Sequence, residues 1–210
     1  MPVTSRQLLL ATFVGVLFIL TGCAGIKPQN TTPLPASTPE IHAQHLATIA
    51  AISAFDLQTR IGVQANGRGF SGATNWKHSA THDNIAIFSP LGAQVATIDK
   101  TPNGVTLIAD GKTYYADDTE TLTQKILGWS LPMQGLPDWI LGRPSSSKIE
   151  QSAWDEAGRL TKLRQDGWDI EYSQYVSTSG YQLPQKIALR SQNLNLKIIV
   201  ERWLLSESHP

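Results

Sequence analysis

From Phe55 onward the apolar residues recur with a period of two, and the pattern returns after each of a series of short turns. Phe55, Leu57, Ile61 and Val63 share one parity, while Asp56, Gln58, Arg60 and Gln64 take the other. Successive side chains of a strand point to opposite faces, so this pattern predicts a strand with one face buried. "NGRG" at 66–69 supplies a turn, and a second strand over 70–78 places Phe70, Thr74 and Trp76 on one face. Strand-like stretches follow at 83–88, 93–99, 105–109 and 112–116, separated by "SPLG", "TPNG" and "DG". Connections this short predict a meander in which neighbouring strands pair in sequence order.

The period changes in two places. "IHAQHLATIAAI" at 41–52 puts Ile41, His45, Ile49 and Ile52 on one helical face, with Leu46 beside them. A second helix is expected over 118–129, with acidic residues early, Leu122, Ile126 and Leu127 at helical spacing, and Gly128 as a stop. A short helical segment over 136–141 is closed by Gly142 and Pro144. Strand patterns resume at 149–155, 160–166, 168–175, 185–191 and 196–204. Two sets of strands, about ten or eleven in all, with helices inserted between them, predict a curved sheet with helices packed on one face.

Ahead of this domain lies a greasy leader. Arg6 is the only charge in the first 22 residues, and residues 8–20, "LLLATFVGVLFIL", are apolar apart from Thr12. The run is shorter than the about 20 residues that span a bilayer, so it reads as an export signal over residues 1–22. An ordinary cleaved signal would leave Cys23, the only cysteine, incidental. Leu20-Thr21-Gly22-Cys23, however, closely resembles the bacterial lipobox. That resemblance implies diacylglyceryl transfer to the Cys23 sulfur, cleavage before it, and acylation of the new amino terminus. Multiple acyl chains hold firmly, because each buried CH₂ contributes about 0.8 kcal/mol. Ala24, where Asp would favour inner-membrane retention, points by analogy to the outer membrane. Residues 23–40, rich in Pro, Thr, Ser and Asn toward their end, are expected to form a tether between lipid and domain, and the domain itself to span 41–210.

Charged residues make up 16% of the chain, hydrophobic ones 41%, and the formal net charge is zero. This argues against a nucleic-acid binder, which needs clustered Lys and Arg, and against disorder of the whole chain. Patterns of reactive residues lead nowhere. Ser145-Ser146-Ser147-Lys148 matches a serine–lysine nucleophile pattern but has none of its partner motifs. Gly111-Lys112-Thr113 lacks the earlier glycine of a phosphate loop, since position 106 is Thr106. His42 with His45, and His78 with His82, have no third ligand at a metal-binding spacing. The expectation is a protein that is not an enzyme and has no metal or cofactor beyond the covalent lipid.

One stretch carries more weight. In Ser89-Pro90-Leu91-Gly92, Pro90 fixes φ at the second turn position, Leu91 takes the tip and Gly92 relieves the backbone. A leucine there either folds back on a neighbouring loop or is exposed to touch lipid or a partner. With the lipobox, "RIGV" at 60–63, "NW" at 75–76, "SPLG" at 89–92, "ADDTETLTQKILGWSLP" at 116–132, "LPDWILGRP" at 136–144 and "YQLPQKIAL" at 181–189, the chain resembles the LolB family of outer-membrane lipoproteins.

The resemblance implies a mainly β fold: an open, half antiparallel barrel of about eleven strands, with helices covering its concave face over a hydrophobic cavity. It implies an outer-membrane, lipid-anchored, periplasm-facing protein of a Gram-negative bacterium, active as a monomer. Such a protein accepts cargo lipoproteins by their acyl chains from a LolA-like periplasmic carrier and inserts them into the outer membrane. The family's protruding apolar loop residue carries over to Leu91, flanked by Pro90 and Gly92. Parity and position nominate Phe55, Leu57, Ile61, Trp76, Ile87, Leu107, Ile126, Trp139 and Trp168 for the cavity. The alternative is an assembly or scaffold lipoprotein that holds a protein partner at a sheet edge and Leu91, without lipid transfer.

Overall fold

The computed structural model describes residues 37–205. The leader, Cys23 and most of the expected tether lie outside them. Helix α1 (Pro39–Ala50) leads into six strands, β1 (Phe55–Ala65), β2 (Arg68–His78), β3 (Asp83–Phe88), β4 (Gln94–Thr101), β5 (Gly104–Ala109) and β6 (Lys112–Ala116). Helices α2 (Thr119–Leu127) and α3 (Leu136–Ile140) follow. The chain closes with β7 (Ile149–Trp154), β8 (Leu160–Gln165), β9 (Trp168–Thr178), β10 (Tyr181–Arg190) and β11 (Leu194–Leu205). Among the described residues no helix is long and apolar enough to cross a membrane.

All eleven strands form one antiparallel sheet in the order β6-β5-β4-β3-β2-β1-β11-β10-β9-β8-β7. Every neighbour is a sequence neighbour except the central pair, where the first strand meets the last. The chain therefore starts mid-sheet, meanders to one edge, crosses to the opposite edge and meanders back. Residues 117–148, which hold α2 and α3, make that crossing. A connection between opposite edges has to run over a face of the sheet, and it takes the apolar one. Burial alternates along β1 and β3, with Phe55, Leu57, Ile61, Val63, Ile85 and Ile87 all inward. The edges β6 and β7 do not pair, so the barrel is open.

Local chemistry sets the helix ends. Pro39 opens α1 at a position where its missing N–H costs nothing, so the helix takes Pro39 and Glu40 from the stretch that composition assigns to the tether. Asp118 caps α2 by accepting from the Thr121 N–H at 2.7 Å, and Gly128 ends it in the left-handed region at φ 83°. β10 starts at Tyr181, four residues before the strand pattern does. Pro184 is tolerated inside it because the β9–β10 register shifts there, so no ladder bond is demanded of a residue without an N–H.

α3 is held to the sheet by polar ties. The Trp139 indole N–H donates to the Gln165 amide oxygen at 2.8 Å, and that oxygen also accepts from the Ser145 N–H at 3.0 Å. The Gln165 amide nitrogen donates to the carbonyls of Ser145 and Ser147. The Tyr172 hydroxyl donates to the Trp139 carbonyl at 2.9 Å. Arg143 pairs with Asp138 and donates to the Ile49 carbonyl, in the last turn of α1, and to the Ile52 carbonyl just beyond it. Between them, Gly142 (φ 77°) lies so close to Pro184 and Tyr175 that a Cβ would come within 2.9 Å of the proline ring.

Candidate functional site

The inward face of the sheet is not filled evenly. At the end where β1 turns into β2, a groove of about 520 Å³ opens to solvent. Val63, Phe70, Ile87 and Ala96 form its sheet wall, and Leu127, Gly128 and Trp129, at the end of α2, form the other. Asn66, Arg68 and Gln124 stand at the rim. Deeper, between the sheet and α3, is a second space of only about 40 Å³, lined by Ile61, Trp76, Ile85, Leu131, Leu136 and Ile140 among others. Ile87 and Trp129 belong to both spaces and so form the partition between them. The polar pair on the deep wall is satisfied internally: the Thr59 and Thr74 hydroxyls bond each other at 2.6 Å.

The β3–β4 loop projects from the same end of the sheet as this mouth. The Gly92 N–H donates to the Ser89 carbonyl at 2.9 Å, and the Ser89 N–H to the Ala93 carbonyl at 2.8 Å. The Ser89 hydroxyl accepts from the Ala93 N–H, and Gly92 adopts φ 84°. A turn closed by these bonds holds Leu91 away from the domain. Leu91 is 97% exposed, the most exposed large apolar side chain among the described residues. Burying such a side chain in an apolar phase is worth about 1.5–3 kcal/mol.

The opposite end of the same strands is latched. Asp83, 2% exposed, accepts from the Trp76 indole N–H at 2.9 Å, bonds His78 Nδ1 at 2.6 Å and pairs with Lys100. Burial pushes this carboxyl up, but the bonds from His78 and Trp76 and the charges of His78 and Lys100 outweigh it and hold its pKa below the usual value. Phe55 packs edge-on against Trp76 and Trp203 beside this latch.

The nominated cavity residues separate into three groups. Ile61, Trp76 and Ile87 line the deep space, and Ile87 the groove as well. Phe55, Leu57, Leu107 and Trp139 point inward but are packed solid, each at most 1% exposed. Ile126 and Trp168 are half-buried against the core, Trp168 with its ring 6.3 Å from that of Trp139. None of these six residues lines the groove or the deep space. Pro90 and Gly92 frame Leu91 in the loop, and Cys23 lies outside the described residues.

Val63, Phe70, Leu127 and Trp129 also line the groove; parity marks the first two as inward-facing and helical spacing marks Leu127, but neither signal says that they face an opening. Val95 is different. Gln94 pairs with Phe88 and Ala96 with Ile87, so Val95 is an extra, bulged residue whose side chain turns to the mouth. A strict period of two puts it on the other face, and no local signal announces the bulge.

The reactive-looking patterns resolve into structure. The Ser145 hydroxyl bonds Ser147, and the Ser147 hydroxyl bonds Asp166. Asp110 and Gly111, both at positive φ, make the β5–β6 hairpin turn. His82 bonds Asp99, and His42 stacks on Trp154 at 4.5 Å. His45 is partly buried, and its pKa is lowered by burial and then by Arg159, against the opposing pull of Asp155. Among the described residues there is no group of three or more His, Cys, Asp or Glu placed to hold a metal.

A family model described as "Outer membrane lipoprotein LolB" matches residues 53–203. The chain is 32% identical over 195 residues to the outer-membrane lipoprotein LolB of Thiobacillus denitrificans, covering 92% of this chain and 96% of that one. It is 35% identical over 154 residues to the LolB of Chromobacterium violaceum, covering 73% and 82% respectively. Among solved structures, a LolA superfamily protein from Nitrosomonas europaea superposes with a TM-score of 0.52 over 83% of this chain and 95% of that one, at 7% identity. That likeness shows a shared fold.

Proposed function

The chain belongs to the LolB family, and from that membership we propose that it is an outer-membrane lipoprotein of the Lol system, one that takes lipoproteins by their acyl chains from a LolA-like periplasmic carrier and delivers them to the outer membrane. Cys23, lipidated, would anchor it facing the periplasm. The observation that carries the reading is spatial: an apolar groove opens at the same sheet end from which Leu91 projects. Acyl chains entering the groove leave water, which is the driving force for uptake. The proposal is one of binding and transfer without bond chemistry; the direction follows from differences in affinity among carrier, groove and bilayer.

The geometry constrains how the transfer proceeds. The groove accepts chain segments as it stands, whereas the deep space is little larger than a water molecule's share of liquid volume, about 30 Å³. Longer insertion therefore requires Trp129 and α2 to move away from Ile87. Leu91, meanwhile, enters the bilayer and holds the mouth against it, so a chain leaving the groove meets lipid rather than water.

The test uses the full-length protein in vesicles, mixed with carrier loaded with labelled lipoprotein. Label reaching the bilayer with wild-type protein, and accumulating on the protein in Leu91→Glu, is the expected result. No uptake of label by well-folded protein would move the reading to a scaffold that holds a partner at Leu91 and a sheet edge.

A further inference from the structure

Among the described residues, the groove has one charged residue, and it is a cation. Arg68 stands at the rim of a wall that is otherwise apolar, glycine or neutral amide, and among the described residues no Asp or Glu lines the groove. Among the described residues the Arg68 side chain makes no hydrogen bond and no ion pair, unlike Arg60, Arg143, Arg159, Arg164 and Arg190, each of which is paired with a carboxylate. An apolar slot with an unspent guanidinium at its mouth matches an amphiphile that carries an anion close to its chains. A triacylated cysteine offers only neutral carbonyls at that position. A glycerophospholipid offers a phosphate, which a guanidinium binds through paired, charge-assisted hydrogen bonds.

We propose that the groove, when it holds no cargo, takes a membrane glycerophospholipid, with at least one acyl chain along Val63, Phe70, Ile87 and Leu127 and the phosphate on Arg68. This rests on the acyl-groove reading above and adds an occupant to it. Arg68 opens β2 directly after the β1–β2 turn, at the sheet end from which Leu91 projects, so a protein held at the membrane by Leu91 presents Arg68 toward the headgroup layer. Cargo uptake then becomes an exchange, acyl chains for acyl chains, and the apolar walls are not left facing water between rounds.

The test is native mass spectrometry of the full-length protein released from detergent, after incubation with dioleoylphosphatidylglycerol, with dioleoylglycerol, or with a tripalmitoyl-cysteinyl peptide. The expected result is a one-to-one phospholipid adduct, favoured over the dioleoylglycerol adduct by about tenfold and displaced by the lipopeptide. Arg68→Gln should reduce the phospholipid adduct to the dioleoylglycerol level; Arg68→Lys should retain most of it. Equal adducts with phospholipid and dioleoylglycerol, indifference to Arg68→Gln, or a phospholipid that the lipopeptide does not displace would each overturn the proposal. If the lipopeptide binds and the phospholipid does not, only this inference falls. If neither binds, the acyl-groove reading falls with it.

Discussion

The two halves of the sheet meet their helices differently. On the β8–β10 side, α3 is bolted down: Trp139 to Gln165, Tyr172 to the Trp139 carbonyl, Gln165 to Ser145 and Ser147, and Arg143 on to the end of α1. On the β1–β6 side, α2 meets the sheet mainly through apolar side chains such as Leu122 and Ile126, and its last turn overhangs the groove. Directional bonds hold one geometry, while apolar contact tolerates sliding and separation at smaller cost. The contrast teaches where this molecule yields: at α2 and Trp129, with α3 as the fixed jaw.

The most severe way to break that contrast is Gln165→Ala. It removes four hydrogen bonds at a fully buried site and leaves the Trp139 N–H unpartnered. A loss of about 3 kcal/mol in urea unfolding is expected, with α3 loosened. A loss below about 1 kcal/mol would show that α3 is not the fixed element.

Asp83→Asn probes the latch behind the groove and should cost about 2 kcal/mol at neutral pH, since Lys100 and His78 lose their carboxylate. The wild-type latch has a pH signature with a definite sign. Asp83 is depressed in the folded state, so its contribution is complete above the ordinary Asp pKa and disappears as pH falls through the folded value. Acid unfolding curves of Asp83→Asn should lack that component.

A smaller effect sits under α1. His45 has a folded pKa below its unfolded one, so its neutral form is favoured by folding. Stability is full above the unfolded pKa of about 6.5 and falls as pH drops from there through the folded value. His45→Leu should flatten the thermal-midpoint slope between pH 7.5 and 5.5, and an unchanged slope would exclude His45 as its source. Smallest of all in stability is Leu91→Glu, within about 0.5 kcal/mol of wild type, because the side chain touches almost nothing. Its effect belongs to membrane delivery, and a mutant that unfolds would remove Leu91 from the site.

Much of this architecture follows from the residues alone. Alternation marks the strands, because a sheet with one wet face has to alternate. Asp118 and Gly128 bound α2 by satisfying free backbone groups. The Ser89–Gly92 turn exposes its leucine because a four-residue turn has no interior. Each of these rests on interactions within a few residues. The pairing of β1 with β11 at the sheet centre, the bulge that turns Val95 to the groove mouth and the separation of solid core from groove have no such local cause. Phe55 and Val63 read alike in the sequence, both inward on one strand, yet one is locked among aromatic rings and the other lines open space. A groove is the space that distant elements leave unfilled. Only the docking of α2 and α3, delivered by a crossing from one edge of the sheet to the other, decides which apolar residues face one another and which face an opening.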